Sequence, residues 1–256
     1  MKRIFIIFAA LLLTANISAA APEEEKQKSW TFDLEPYLMA SNISGNASVG
    51  RATGVDVDIE FSDILETLNI GAMIHFEAHH ESGWGIWLDY GFMDLSQDTS
   101  GPVGGVASTD LRQGVMEAFA LYRQDLAHGK LDYIAGIRWW DNDIDITVDP
   151  SLFPGSISKK VRADWVDAVI GARWTHHISE NWHFRLRGDI GGLGLSSDFT
   201  GTASAGIIYV INDLLDIDLT YKATWVDYEE GTKHTPDHFE YDTVTHGPIL
   251  GLNFKF

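Results

Sequence analysis

Apolar residues alternate with polar or small residues over long stretches of this chain. Between Leu68 and Ala78 every even-numbered residue is apolar, whereas the odd-numbered residues are mostly polar or glycine. The same alternation runs from Trp84 to Phe92. A period of two held over about ten residues is typical of a tilted strand that crosses a bilayer, whereas strands of soluble sheets usually have about five or six residues. The pattern therefore predicts a transmembrane β-barrel.

Segments with this pattern recur along the chain and predict an all-β fold, a closed antiparallel up-and-down barrel of about ten strands. Eight or twelve strands remain possible. The predicted strands cover residues 30–41, 68–79, 83–97, 111–124, 130–148, 162–178, 182–197, 200–211, 214–229 and 239–256. Short links alternate with mostly longer ones, as expected for periplasmic turns and external loops. The exception is a tight external turn predicted at Asp198 and Phe199.

The N-terminus has the pattern of a secretory signal. Lys2 and Arg3 precede an apolar run over residues 4–13, and small residues at positions 18–20 provide a cleavage site after Ala20. The apolar run is shorter than the roughly 20 residues of a membrane-spanning helix. The sequence therefore predicts a cleaved signal peptide over residues 1–20, a periplasmic tail over 21–29 and the barrel over 30–256.

The composition excludes several classes of protein. The chain has 37 acidic and 18 basic residues and no cysteine. Scattered basic residues in so acidic a chain would not hold a phosphate backbone, so no nucleic-acid partner is expected. The lack of thiols excludes disulfides and cysteine-based metal sites. No cofactor is predicted.

Aromatic residues give a second indication of a membrane barrel. Tyr and Trp concentrate at both interfaces of such barrels. Ten aromatic residues are predicted to lie mostly near strand ends or on the lipid-facing surface: Trp30, Trp84, Trp139, Trp165, Trp182, Tyr209, Tyr221, Trp225, Phe254 and Phe256.

The C-terminus resembles the assembly signal of outer-membrane barrels. Gly251, Leu252, Phe254 and Phe256 carry the likeness, a glycine followed by apolar residues at alternate positions and a terminal Phe. Ile249 departs from it, since a polar residue is usual there. The resemblance implies that the barrel-assembly machinery is a partner.

The mature chain as a whole resembles a poorly characterised group of proteobacterial outer-membrane β-barrel proteins, small and porin-like. The segments that carry this resemblance are residues 56–59, 62–65, 164–167, 187–192 and 245–248. The resemblance implies an outer-membrane location and contact with outer-membrane lipid and lipopolysaccharide. It implies no substrate.

The face opposite the lipid-facing residues carries charges of both signs, which we predict to line the lumen. Four arginines on consecutive strands are expected to form a basic wall, with acidic residues of the early strands across the barrel. The candidates for a constriction are Glu35, Glu77, Asp89, Arg138, Arg173, Arg185, Arg187 and Asp189. The two walls either leave a path for small solutes or meet and pair as a plug. A barrel this small excludes a wide general porin.

Two groups of residues have the composition of metal sites, but no metal site is predicted. His75, Glu77 and His79 share a strand face, yet the outer pair is too widely spaced to chelate one ion from a straight strand. The acidic run over residues 141–149 has Ile146 where a calcium loop needs glycine. A solvated acidic rim is the expectation, with divalent ions that bridge lipopolysaccharide as the alternative.

The longest link, over residues 42–67, contains a predicted helical turn. Ser62 is placed as its N-cap, and the turn runs to Thr67. A link this long either folds inward as a constriction or rests on the rim as a cap.

No nucleophile, base and orienting residue can be identified by spacing, so the chain is predicted not to be an enzyme. The expected role is structural or that of a narrow pore. The alternatives are an outer-membrane enzyme that modifies lipid and a surface protein that uses its acidic external loops for adhesion.

Overall fold

The computed structural model of the protein describes residues 29–100, 106–149 and 157–256. The predicted signal peptide and nearly all of the predicted N-terminal tail lie outside these residues.

This part of the chain forms twelve strands and one helix. Their bounds are β1 Trp30–Met39, β2 Asn42–Val49, β3 Ala52–Ile59, α1 Phe61–Thr67, β4 Leu68–His80, β5 Trp84–Ser100, β6 Val106–Leu126, β7 Gly129–Asp149, β8 Ile157–His177, β9 Trp182–Gly192, β10 Phe199–Asn212, β11 Leu215–Glu230 and β12 Phe239–Lys255. Among the described residues, no helix is long and apolar enough to span a membrane.

Ten of the strands form a closed antiparallel barrel. Strand β1 is followed around the sheet by β4 and then by each strand in turn to β12. β12 pairs back onto β1, with Leu34 opposite Phe254, and this pairing closes the barrel. The predicted fold class is confirmed. Strands β2 and β3 lie outside this cycle.

The first long link is more structured than the sequence indicated. β2 continues along β12 above β1, with Val49 opposite Phe239, and β3 pairs with β2 as a hairpin. The short strand β2 is rich in small residues, so its alternation is too weak to be recognised. The helix begins at Phe61, and its N-cap is Glu60 rather than the predicted Ser62. The Glu60 N–H donates to Asp63 Oδ2 over 3.1 Å.

Strand β9 ends earlier than the sequence indicated. It stops at Gly192 instead of position 197, because Gly192, Leu193 and Gly194 have φ values of 77°, 53° and 76° that turn the chain out of the sheet. The predicted tight turn at Asp198 and Phe199 is therefore wrong. Residues 193–198 form a longer loop, which restores the alternation of short and long links.

The outer surface of the barrel carries an apolar band. Ile86, Leu88, Ile137, Ile170 and Leu219 are all exposed in the isolated chain. A continuous apolar surface of this size is unfavourable in water, so the barrel belongs in a bilayer. Nine of the ten predicted girdle aromatics are exposed, namely Trp30, Trp84, Trp139, Trp182, Tyr209, Tyr221, Trp225, Phe254 and Phe256.

Trp165 was wrongly placed in the girdle. Its side chain is buried inside the barrel, where it stacks on Tyr228 with ring centroids 3.9 Å apart. Trp165 has the same parity on β8 as Asp167, which also points inward. The period-two alternation places Trp165 on the inward face. The prediction failed because it relied on the residue type alone.

Candidate functional site: the charged lumen

Arg138 is the centre of the largest charged network in the lumen. The guanidinium is completely buried, and its Nη2 lies 2.7 Å from Glu117 Oε1 on β6 and 2.8 Å from Asp189 Oδ1 on β9. Two hydroxyls on β10 accept its remaining hydrogen bonds, Thr200 at 2.9 Å and Thr202 at 2.8 Å. One arginine therefore ties four strands together across the interior.

Arg187 on β9 completes this network. Its Nη2 lies 2.8 Å from Glu117 Oε2, and its Nε donates to Asp189 Oδ2 over 2.8 Å. Glu117 and Asp189 each bridge Arg138 and Arg187 through their two oxygens. Two positive and two negative charges are thereby paired in a buried square, which satisfies the requirement that buried charges find partners.

A second network lies closer to the periplasmic end. Arg173 on β8 is paired with Glu77 on β4, and its Nη2 lies 2.6 Å from Asp132 Oδ2 on β7. Arg123 on β6 holds the other oxygen of Asp132 at 2.7 Å. Glu77 also accepts from His75 at 2.7 Å and lies 2.6 Å from His79 Nε2. Strands on opposite sides of the barrel are therefore joined.

The ring of Trp87 contacts an arginine of each network. The guanidinium carbons of Arg173 and Arg187 lie 4.6 and 4.5 Å from its ring centroid. Cation–π contacts of this kind strengthen when water is excluded. Trp87 belongs to an apolar cluster inside the barrel, with Phe119, Leu121, Ile134 and Val169.

Above the charged networks, aromatic side chains cross the barrel. Trp140 on β7 stacks on Trp165, and Trp165 stacks on Tyr228 of β11. Gln113 on β6 donates to the hydroxyl of Tyr241 on β12 over 3.1 Å. These contacts span the interior toward the external end.

Two adjoining cavities remain in the lumen, and residues of β1, β5 and β11 line both. The upper cavity of about 90 Å³ is lined by Met39, Met73, Met93, Val115 and Trp140 among others. The lower cavity of about 70 Å³ is lined by Glu35, His75, Arg185, Ser204 and Asp218 among others. Tyr37, Asp89 and Lys222 line both.

Two ionisable side chains on these cavities interact with charged neighbours only at longer range. Among the described residues, neither Glu35 nor Lys222 has a hydrogen bond or an ion pair. Asp89, in contrast, accepts from the hydroxyl of Tyr37 at 2.9 Å and lies 3.2 Å from His75 Nδ1. Polar groups in a lumen that lack hydrogen-bond partners need water or a solute, and the cavities provide space for one.

The structure brings seven of the eight predicted constriction residues into contact with a charged or polar partner. Arg138, Arg187 and Asp189 share one network, Glu77 and Arg173 the second, Asp89 binds Tyr37 and His75, and Arg185 binds Asp218 at 2.7 Å. Glu35 lies apart from the networks. The four arginines stand on neighbouring strands, but each is paired with an acidic residue, so they do not form a free basic wall.

Sequence reasoning missed Glu117, which binds two of the predicted arginines. It lies between Val115 and Phe119 on the inward face of β6, and all three alternate with outward residues. Because Val115 and Phe119 are apolar, the sequence did not mark this face of β6 as the lumen side. The parity of β6 relative to Arg123 could have identified it.

One cluster in the described residues has the geometry of a metal site. Asp33, Glu77 and His79 offer ligand atoms within 4.8 Å of one another. Arg123 Nη2 lies 3.0 Å from His79 Nε2, and Arg173 is paired with Glu77. The two guanidinium charges oppose a cation there, and this cluster acts as a part of the ion-pair network.

Comparisons with known proteins show the fold. No protein-family model and no curated protein matches the sequence. The translocator domain of the autotransporter NalP from Neisseria meningitidis is similar with a TM-score of 0.53 at 11% identity, over 91% of this chain and 90% of the other. The outer membrane protease OmpT from Escherichia coli gives a TM-score of 0.56 at 11% identity, over 90% and 98%. The chain therefore has the architecture of a bacterial outer-membrane β-barrel.

Proposed function

We propose that the protein is a narrow, porin-like barrel that carries small solutes along one side of its lumen. The observation that supports this most directly is the pair of adjoining cavities that share Tyr37, Asp89 and Lys222. The path would run beside the ion-pair networks and leave them intact. Its width would limit it to solutes much smaller than those of a general porin.

The periplasmic side of this path is accessible to water. The side chain of Arg185, which lines the lower cavity, and that of Lys255 keep 24% and 29% of their surface exposed. Each is paired with an acidic residue, Asp218 and Asp216 respectively. Paired, hydrated charges at a mouth permit small polar solutes to enter without a large desolvation cost.

Single-channel recording on refolded protein in planar bilayers tests the proposal. The wild-type chain is expected to give small, discrete conductance steps. Ser204→Trp places a large ring in the lower cavity and is expected to reduce the conductance several-fold. Ala205→Trp is the matched control, because the neighbouring residue faces outward and is exposed.

Two results would refute the proposal. One is a wild-type barrel, shown to be folded by heat-modifiable mobility, that gives no discrete conductance. The other is an equal loss of conductance in Ser204→Trp and Ala205→Trp, which would place the current outside the cavities.

A further inference from the structure

The barrel wall is incomplete between β1 and β4. Their ladder runs from Trp30 opposite His80 to Pro36 opposite Ile74 and ends there. Above this level β1 pairs with β12, and β4 pairs with β5. Residues 37–41 and 68–73 therefore face one another without a backbone ladder, and we call the space between them the β1–β4 gap.

The gap has physical causes and definite borders. Pro36 has no N–H to donate, so it ends the ladder from below. Helix α1 borders the gap from above, where the N–H of Phe61 donates to Asn42 Oδ1 over 3.0 Å. Ile64 of α1 is buried against Ile43 and Met93. The gap is thus an opening of limited height.

The gap lies in the lipid-facing band. Leu38 and Ile74, at its lower border, are 49% and 45% exposed on the outer surface. Leu38 is eight positions beyond Trp30, so a strand tilted by about 40° carries it roughly 20 Å above the periplasmic girdle. An apolar band of this kind is about 25 Å tall. The gap therefore faces the outer leaflet.

The upper cavity lies directly behind the gap. Tyr37 and Met39 on one border and Met73 on the other all line the cavity. Its far side is formed by Met93 and Trp140. Methionine side chains adapt to apolar molecules of different shape. The gap is therefore a direct way from this cavity to the bilayer.

The charge on the cavity indicates the kind of molecule that fits. Its two carboxylates are already occupied, since Asp89 binds Tyr37 and His75 while Glu117 binds Arg138 and Arg187. Among the charged residues that line this cavity, Lys222 is the one that the described residues leave without a hydrogen bond or a close ion pair, and Glu117 is a charged neighbour at longer range. We propose that the upper cavity binds a single-chain amphiphile with a carboxylate head, the head at Lys222 and the chain passing through the β1–β4 gap to the outer leaflet. This inference rests on the proposed solute path and names its solute class and lateral opening.

Binding of short probes tests the head-group site. Hexanoate, hexylammonium and hexan-1-ol have the same chain and three different charges. We expect refolded wild-type protein to bind hexanoate at least tenfold more tightly than hexylammonium in calorimetric titrations. Lys222→Met should remove this preference and leave hexan-1-ol unchanged. Equal affinities for the three probes, or unchanged hexanoate binding in Lys222→Met, would overturn the assignment.

A lipid-borne quencher tests the lateral opening. The chain has no cysteine, so Thr245→Cys gives one attachment point for a bimane fluorophore on the cavity. In phosphatidylcholine vesicles, 5-doxyl-stearate should quench this fluorophore more than phosphatidylcholine doxyl-labelled at the same carbon. Gly71→Trp fills the gap and should reduce the quenching several-fold. A Cβ at Gly71 makes only ordinary contacts, the nearest of them 3.6 Å from a methyl carbon of Leu68.

Gly188→Trp is the matched control, because a Cβ there meets nothing within 4 Å on a strand far from the gap. Each variant is compared with its own unquenched fluorescence. Equal quenching in Gly71→Trp and Gly188→Trp would overturn the lateral opening.

The conductance experiment, which is recorded without amphiphile, separates this inference from the proposed pore. A barrel that binds hexanoate but conducts no ions would refute the pore and retain the binding site. A barrel that conducts ions but shows no preference for hexanoate would refute the binding site and retain the pore.

Discussion

Arg173 Nη2 on β8 donates to Glu77 Oε2 on β4 over 2.8 Å, and 96 positions of sequence separate the two residues. Both side chains are at least 93% buried. Their bond joins strands four places apart around the barrel, so it braces the cross-section. The lumen is thus held by specific ion pairs, and their loss has measurable consequences.

Glu77→Gln is expected to destabilise the barrel by about 3 to 5 kcal/mol, because it leaves the buried Arg173 with an incomplete set of partners. Urea unfolding in detergent micelles measures the change. Arg112→Gln is the control, since this arginine is paired with Asp94 but 63% exposed, and the expected change is below about 1 kcal/mol. Similar losses in both variants would contradict a structural role for the lumen network.

Arg185 and Arg187 are expected to give different phenotypes. Arg185→Ala leaves Asp218 without its arginine beside the lower cavity, so reversal potentials in a KCl gradient should shift toward cation selectivity while the barrel stays folded. Arg187→Ala breaks the buried square and should lower stability. An unchanged reversal potential in a folded Arg185→Ala barrel would place the path away from the lower cavity.

Leu88→Arg tests the lipid-facing register of β5. Leu88 is exposed on the outer surface, and a charge near the bilayer midplane costs about 2 to 4 kcal/mol. Thr232→Arg, in the external loop before β12, should cost close to nothing. Folding titrations into lipid vesicles compare the two, and equal effects would show that β5 does not face lipid at Leu88.

Phe256 is expected to matter for assembly. Its N–H donates to the carbonyl of Phe32 over 3.0 Å, and its ring lies 5.9 Å from the Phe32 ring, where the last strand meets the first. Deleting Phe256 should lower the amount of heat-modifiable barrel in outer-membrane fractions. Phe199→Ala, which removes an exposed ring elsewhere, is the control. Unchanged levels after the deletion would count against the predicted assembly signal.

The external rim should respond to pH. Burial and the nearby carboxylates of Asp242, Asp198 and Glu240 raise the pKa of Asp227 above its ordinary range. A raised carboxyl pKa in the folded state means that the ionised form opposes folding above that pKa. Asp227→Asn should therefore stabilise the barrel at neutral pH, and the gain should begin to fall at the raised pKa of Asp227 and be gone below the ordinary pKa of a carboxyl group. A constant gain at all pH values would exclude this cause.

Much of the fold could be predicted from the sequence, because strand alternation and the placement of girdle aromatics such as Trp84 and Trp182 depend on the bilayer. The interior could not. Period two assigns Arg138 and Asp189 to one face but says nothing about which residue lies across the barrel, which depends on shear and closure. The ion-pair partners could not be predicted for this reason, whereas Glu117 and Trp165 were missed because residue type was followed instead of strand parity. The β2–β3 hairpin was missed because its small residues give no clear pattern.

The ionic character of the lumen also affects the solubility of the chain before the barrel closes. Until β12 meets β1, the inward face of the sheet is open to solvent, and its arginines and carboxylates can remain hydrated. A lumen filled with leucine and isoleucine would add a second apolar face to the lipid-facing one. Both would be exposed during passage through the periplasm, where unclosed sheets are prone to aggregate. Charges that cross-link the finished barrel thus also keep its unfinished precursor in solution.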